Sequence, residues 1–260
     1  MDPVCREIRR NILTVAKESG HGHIPTCFSI VEVLRALYAT MKQDPARPEW
    51  EKRDIFVLSK GHAALALYCA LAEFGYFPPE DVRSLGAFMS NFGCHADRTK
   101  LPGVEVSTGS LGHGIGVAAG IALAFKIQKS DRRVFTLIGD GESNEGSVWE
   151  AIMVAVDRKL NNLTVIYDDN QSHARGLQIK DPEAQFGGFG CEVVGIAGHD
   201  HYALMKAIEK PSDGMKVIVA HTVKGYGCET LVRDQYAWHR RSPNDEEFQV
   251  LMRELDEKAV

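Results

Sequence analysis

The sequence predicts an α/β fold in which one parallel sheet carries helices on both faces. From Val134 to Ala220, short apolar runs alternate with amphipathic segments at short intervals, as strands joined by crossover helices do. Phe135–Ile138 feeds straight into Gly139-Asp140-Gly141 and then a helical pattern from Glu145, a strand–turn–helix unit. At 260 residues, 44% apolar and 25% charged, the chain has the length and composition for one sizeable globular core.

Apolar periodicity predicts an amphipathic helix over Cys5–Lys17, a polar glycine-containing break at Ser19–Pro25, and a second helix from Ser29 to Met41. Asp54–Ser59 reads as a short buried strand, and Gly61-His62-Ala63 opens an Ala/Leu-rich helix to Phe74. Asn91–Gly116 is loop-rich, and a helix of small residues follows from Ile115 to Lys129. Strand Val134–Ile138, helix Glu145–Arg158, strand Leu163–Tyr167, strand Cys191–Ile196, helix Tyr202–Lys210 and strand Lys216–Ala220 then succeed one another. The tail, Asp245–Lys258, reads as a charged surface or interface helix. With no internal repeat or linker, residues 1–260 are expected to form a single domain.

A net charge of −5 argues against nucleic acid or an anionic membrane as partner. No apolar run reaches membrane-spanning length, and Met1-Asp2-Pro3 does not open a signal peptide. Six scattered cysteines without a CxxC pair fit a reduced, cytoplasmic compartment, with Cys69 in the core of an apolar helix.

The chemistry concentrates between Gly139 and Asn170. Asp140 sits at a strand's carboxyl end, and the helix beginning near Glu145 aims its positive N-terminus at the same place, which favours an anion there. The next strand ends at Asp168-Asp169-Asn170, so Asn170 comes near Asp140 if the two strands are neighbours. A carboxylate and an amide at adjacent strand ends suit a hard octahedral cation that also grips phosphate oxygens. A plain Asp-Gly turn and an Asn cap would give either half alone. The histidines add to the case: His21, His23, His62, His95 and His113 lie in or beside glycine-containing breaks, free to point into a cleft and move protons near neutral pH. A surface-loop role is the alternative for any one of them. No HExxH pattern on a helix supports a zinc site.

Several motifs together resemble the transketolases, thiamine-diphosphate enzymes. These are Ser19-Gly20-His21, Leu58–Ala63, Cys94–Arg98, Pro102–Gly112 and Gly139-Asp140-Gly141 followed by Asn170, in that order along nearly the whole chain. More narrowly, the chain resembles the N-terminal, diphosphate-binding subunit of a two-subunit bacterial transketolase. The resemblance implies thiamine diphosphate as cofactor with Mg2+ (or Ca2+ or Mn2+), the metal held by Asp140, Asn170 and the backbone carbonyl of Ser172. It implies that His62 and Gly141 meet the cofactor's diphosphate, and that Gly109 and Leu111 lie near its aminopyrimidine. His21 and His95 would face the substrate, His239 would reach toward diphosphate and substrate, and Glu145 would join a carboxylate network at a subunit interface. The reaction implied is transfer of a two-carbon ketol unit from a ketose to an aldose. The pyrimidine-binding domain, with its essential Glu, is expected on a partner chain, with two of each chain around a two-fold axis.

Three other readings stay open. A split synthase would join a decarboxylated 2-oxo acid to an aldehyde, and a regulatory homologue would have kept the fold without the reaction. A dinucleotide-binding protein would need the GxGxxG spacing that Gly139-Asp140-Gly141 lacks. Arg240 and Arg241 follow His239, where they either bind a phosphate, carboxylate or sulfonate or form a solvated surface pair.

Overall fold

Five parallel strands make one sheet in the order β1-β2-β3-β5-β4, where β1 is Ile55–Leu58, β2 Val134–Gly139, β3 Leu163–Asp169, β4 Glu192–Ala197 and β5 Lys216–His221. The structure, a computed structural model, describes residues 1–173 and 176–257.

Period-two alternation along the strands splits the core into two layers. Phe56, Leu58, Phe135, Leu137, Ile166, Ile218 and Ala220 face one layer. It is built with α1 (Pro3–Ser19), α2 (Ile24–Phe28), α3 (Val31–Thr40), α4 (Ala64–Glu73) and, against α3 and β4, α8 (His201–Glu209). Ile55, Val57, Val134, Ile138, Val165, Tyr167, Val217 and Val219 face the other, against α5 (Gly114–Ile127), α6 (Gly146–Asp157) and Phe186 of α7 (Pro182–Gly188). Each fully buried Val, Leu, Ile or Phe contributes about 1.5–3 kcal/mol of transfer free energy, so both faces of the sheet are strongly specified. The edge strand β4 is half-exposed.

Local signals explain the helix ends. Asp2 caps α1 by accepting the Cys5 N–H at 3.0 Å, Pro3 opens it, and Gly20 ends it in the left-handed conformation at φ 72°. α1 therefore runs to Ser19, and the predicted break shrinks to Gly20–His23. The helix expected from Ser29 to Met41 begins only at Val31, behind a separate short α2. The two divide at Ser29-Ile30, where Ile30 turns to φ −107° and the Ser29 hydroxyl donates to Asp168 at 2.8 Å. Gly61–Ala63 forms a 3-10 turn rather than the first turn of α4. Sequence periodicity missed α7 and α9 (Glu229–Arg233), which are short. α7 did carry a local signature, Asp181 capping Ala184 N with Pro182 at the first helical position. The tail helix α10 (Asp245–Glu257) buries Leu251 and Leu255 and joins α1 through Arg10–Asp256 at 2.5 Å; Lys258, its predicted last residue, lies outside the described residues.

All six cysteines are free thiols, and Cys69 is buried as expected. Among the described residues no helix is long and apolar enough to cross a membrane.

Candidate active site

Parallel pairing places Gly139 beside Asp168 and Asp169 beside His221, so the carboxyl ends of β2, β3 and β5 form one platform. A cleft of about 580 Å3 opens above it. His21, His62, His95, His239, Gly109, Leu111, Asp140, Gly141, Asn170 and Ser172 all line this cleft. Glu145 does not: it is exposed just ahead of α6, its Cβ close to Gly112. His113 is also exposed and outside the cleft.

Asp140 is 2% exposed. Its Oδ1 accepts the Gly141 N–H at 2.7 Å and its Oδ2 the His173 N–H at 3.2 Å. Burial first, and then the neighbouring Asp168 charge, push its pKa up, so the carboxylate is short of positive partners. Its one ion pair among the described residues is with His173 Nδ1, at 2.7 Å but not aligned as a hydrogen bond. On β3 the buried Asp168 accepts from Lys60 Nζ at 2.5 Å, Ser29 Oγ at 2.8 Å, Thr222 Oγ1 at 2.5 Å and Asn170 Nδ2 at 2.7 Å. With both Asn170 protons directed at Asp168 and Ser29, its Oδ1 faces away from them, toward the Ser172 N–H at 3.0 Å.

The residues present fit a divalent cation. A carboxylate, an amide oxygen and a nearby backbone carbonyl are hard oxygen donors of the kind Mg2+ or Ca2+ takes, and the under-compensated Asp140 would gain most from the charge. Among the described residues no three His, Cys, Asp or Glu side chains gather as a ligand set.

The histidines of the cleft touch one another. The His23 ring centroid lies 5.6 Å from that of His62 and 5.3 Å from that of His239. Burial is the largest cause that lowers all three pKa values, with neighbouring cations adding to it: His62 falls to about 2, His23 to about 4, and His239 also goes down. They are neutral at neutral pH, each able to donate one proton and accept another. His62 Nε2 is 3.3 Å from Thr26 Oγ1, and His21 Nδ1 is 3.1 Å from Ser19 O, so both rings are loosely tethered from behind.

Two loops lock this end of the cleft. The His23 N–H donates to His239 O at 3.2 Å, and a Cβ on Gly22 would sit 2.2 Å from the Arg240 backbone, so only glycine fits there. The paired arginines separate. Arg240 lines the cleft, whereas Arg241 stacks 3.6 Å from the Trp238 ring centroid and holds Glu247 through two bonds of 2.8 Å.

Sequence reasoning gives no role to Lys60, Glu142, Asp168 or Lys224, and places His23 only among the loop histidines. Glu142, 2% exposed, accepts from Ser59 Oγ at 2.5 Å, Gly112 N at 2.8 Å and Gly139 N at 3.1 Å, tying three cleft segments together. Burial raises its pKa against these bonds. Lys60 and Asp168 stand inside motifs already singled out, but a pair formed across 108 residues has no local signature.

Residues 4–255 match the family described as transketolase, thiamine diphosphate binding domain. One component of the apulose-4-phosphate transketolase of Actinobacillus succinogenes is 35% identical over 99% of this chain and 96% of its own length. A 6-deoxy-6-sulfo-D-fructose transketolase subunit from a Clostridium species is 36% identical over 97% of this chain and 95% of its own. Among solved structures, the transketolase of Campylobacter jejuni superposes with a TM-score of 0.90 at 28% identity, over 98% of this chain. This chain spans only 43% of that larger protein.

Proposed function

The chain belongs to the transketolase family through its thiamine-diphosphate-binding domain, and on that premise we propose that it is the diphosphate-binding half of a two-subunit ketol transferase acting on anionic sugars. The observation that carries the reading is the convergence of Asp140, Asn170, His62 and His239 on one cleft at the ends of neighbouring parallel strands.

In this reading Asp140, Asn170 and the Ser172 carbonyl would hold Mg2+, whose charge would favour the cofactor's diphosphate. The Gly141 N–H and His62 would donate to diphosphate oxygens, while Gly109 and Leu111 would lie near the aminopyrimidine. Once bound, thiamine diphosphate supplies a nucleophilic ring carbon and a sink for the electrons released when a ketose carbon–carbon bond breaks. The chain's own task is positioning and proton handling. His21 and His95 would meet substrate hydroxyls and carbonyl, and His239 would reach toward diphosphate and substrate. Their neutral imidazoles can give a proton at one nitrogen and take one at the other. A second polypeptide supplies the pyrimidine-binding domain and its Glu, with an α2β2 assembly and Glu145 at the contact between the two kinds of chain. Support for this partner comes from the two relatives described above, each named as one subunit of an enzyme and matched by this chain over nearly its whole length. Both are named for sugars bearing an anion, a phosphate or a sulfonate, and Arg240 offers a guanidinium for such a group.

The test is reconstitution with the complementary subunit, thiamine diphosphate and Mg2+, followed by a phosphorylated or sulfonated ketose and an aldehyde acceptor. Two-carbon transfer without CO2 release is expected. Release of CO2 from a 2-oxo acid donor would instead place the chain in a synthase.

A further inference from the structure

The loop after β5, Thr222–Gly227, is fastened at several points. Thr222 Oγ1 donates to Asp168 Oδ1 at 2.5 Å, and Gly225 N donates to Pro25 O at 2.9 Å. Between these anchors the Val223 N–H donates to His199 Nε2 at 2.8 Å. A ring nitrogen that accepts a backbone N–H carries no proton, so the imidazole proton sits on Nδ1, which donates to Glu32 Oε2 at 2.9 Å. Arg9 grips the same carboxylate with bonds of 2.6 and 2.7 Å and donates to Phe28 O at 2.8 Å. Burial alone would raise the Glu32 pKa, but Arg9 and His199 more than offset it and hold it at about 2. The Tyr226 ring lies flat on His199, centroids 3.6 Å apart. A chain of bonds therefore runs from α1 through α3 to the backbone of Val223.

The residue after Val223 is Lys224, whose side chain is buried against the cleft. It is 3% exposed, with Nζ 2.7 Å from Ser172 Oγ and 3.5 Å from His239 Nδ1, both in residues that line the cleft. Among the described residues it pairs with no carboxylate. A buried ammonium costs free energy unless an anion reaches it, and the cleft is where one can enter. His199 itself does not line the cleft.

We propose that His199 is a positioning residue: it fixes the Val223 backbone so that the Lys224 ammonium is held where it meets the diphosphate of the bound cofactor. This inference rests on the thiamine-diphosphate reading above.

Calorimetry with thiamine diphosphate and Mg2+ on the assembled two-subunit enzyme tests it. His199→Phe keeps an aromatic ring against Tyr226 and removes both hydrogen bonds. Its cofactor affinity is expected to fall roughly tenfold, with kcat at saturating cofactor within about twofold of wild type. His199→Gln, whose amide can both accept and donate, should recover most of the affinity. His199→Asn, which can still donate to Glu32 but is too short for Val223, should lose affinity as His199→Phe does and serves if that variant fails to fold. The decisive comparison is with Lys224→Met: the double variant should bind no more weakly than Lys224→Met alone. Unchanged affinity in His199→Phe or His199→Asn, or losses that multiply in the double variant, would overturn the proposal. Wild-type enzyme that binds no thiamine diphosphate at all would overturn the functional reading, and this inference with it.

Discussion

Asn170 donates its Nδ2 proton to Asp168 Oδ2 at 2.7 Å, and this bond decides which way the amide faces. The same carboxylate neutralises the buried Lys60 ammonium. Asp168→Asn would leave Lys60 buried without its counter-charge and remove the constraint on the Asn170 amide. Breaking such a pair from one side costs about 3–5 kcal/mol. Chemical denaturation should show a loss of that order, and a loss below about 0.5 kcal/mol, the size of an ordinary surface change, would contradict the pairing.

Two buried imidazoles, His62 and His23, work against stability on the acid side. His62 and His23 are held at about 2 and about 4, against an ordinary 6.5. As pH falls below 6.5 the unfolded chain takes up protons that the folded chain refuses, so stability is lost from there downward. Below about 4 His23 adds nothing further and His62 continues. Glu32, depressed from 4.5 to about 2, adds its own loss only below 4.5. Denaturation midpoints measured from pH 7 to 5 should therefore decline, and His62→Ala should flatten the decline. An equal slope in that variant would count against a neutral His62.

Gly22 leaves no room for a methyl group beside the Arg240 backbone. Gly22→Ala must displace the His239–Arg240 turn, at about 1–3 kcal/mol for forced overpacking. Activity of the assembled enzyme should fall with it. Gly20→Asn, at a left-handed helix cap with open space that asparagine tolerates, should cost far less stability than Gly22→Ala. Equal activity in Gly22→Ala and wild type would show the turn to be dispensable.

Arg240 and Arg241 look alike in sequence, but only Arg240 lines the cleft. Arg240→Ala should raise KM roughly tenfold or more for an anionic sugar and leave a neutral ketose unaffected. Arg241→Ala, which loses its bonds to Glu247, should lower the unfolding temperature slightly and leave both KM values alone. The same KM with either donor in Arg240→Ala would reduce that side chain to surface charge.

The sheet was legible because its strands are apolar runs bounded by turns, and β2 and β3 are the neighbours that a joint role for Asp140 and Asn170 requires. The helix breaks were less legible. The break at Ser29-Ile30 goes with a bond from the Ser29 hydroxyl to Asp168, a residue 139 positions away. α7 and α9 are too short for a helical period to emerge over their length. The supporting pairs of the site, Lys60 with Asp168 and Lys224 with Ser172, are invisible for the same reason: tertiary folding creates them, and nothing local marks them.

Cofactor affinity measured with and without a divalent ion, in wild type and Asp140→Ala, tests the arrangement most directly. The assembled enzyme is expected to retain thiamine diphosphate with Mg2+, release it on chelation, and fail to retain it in Asp140→Ala under either condition. Retention that is the same after chelation, or the same in Asp140→Ala as in wild type, would contradict this expectation.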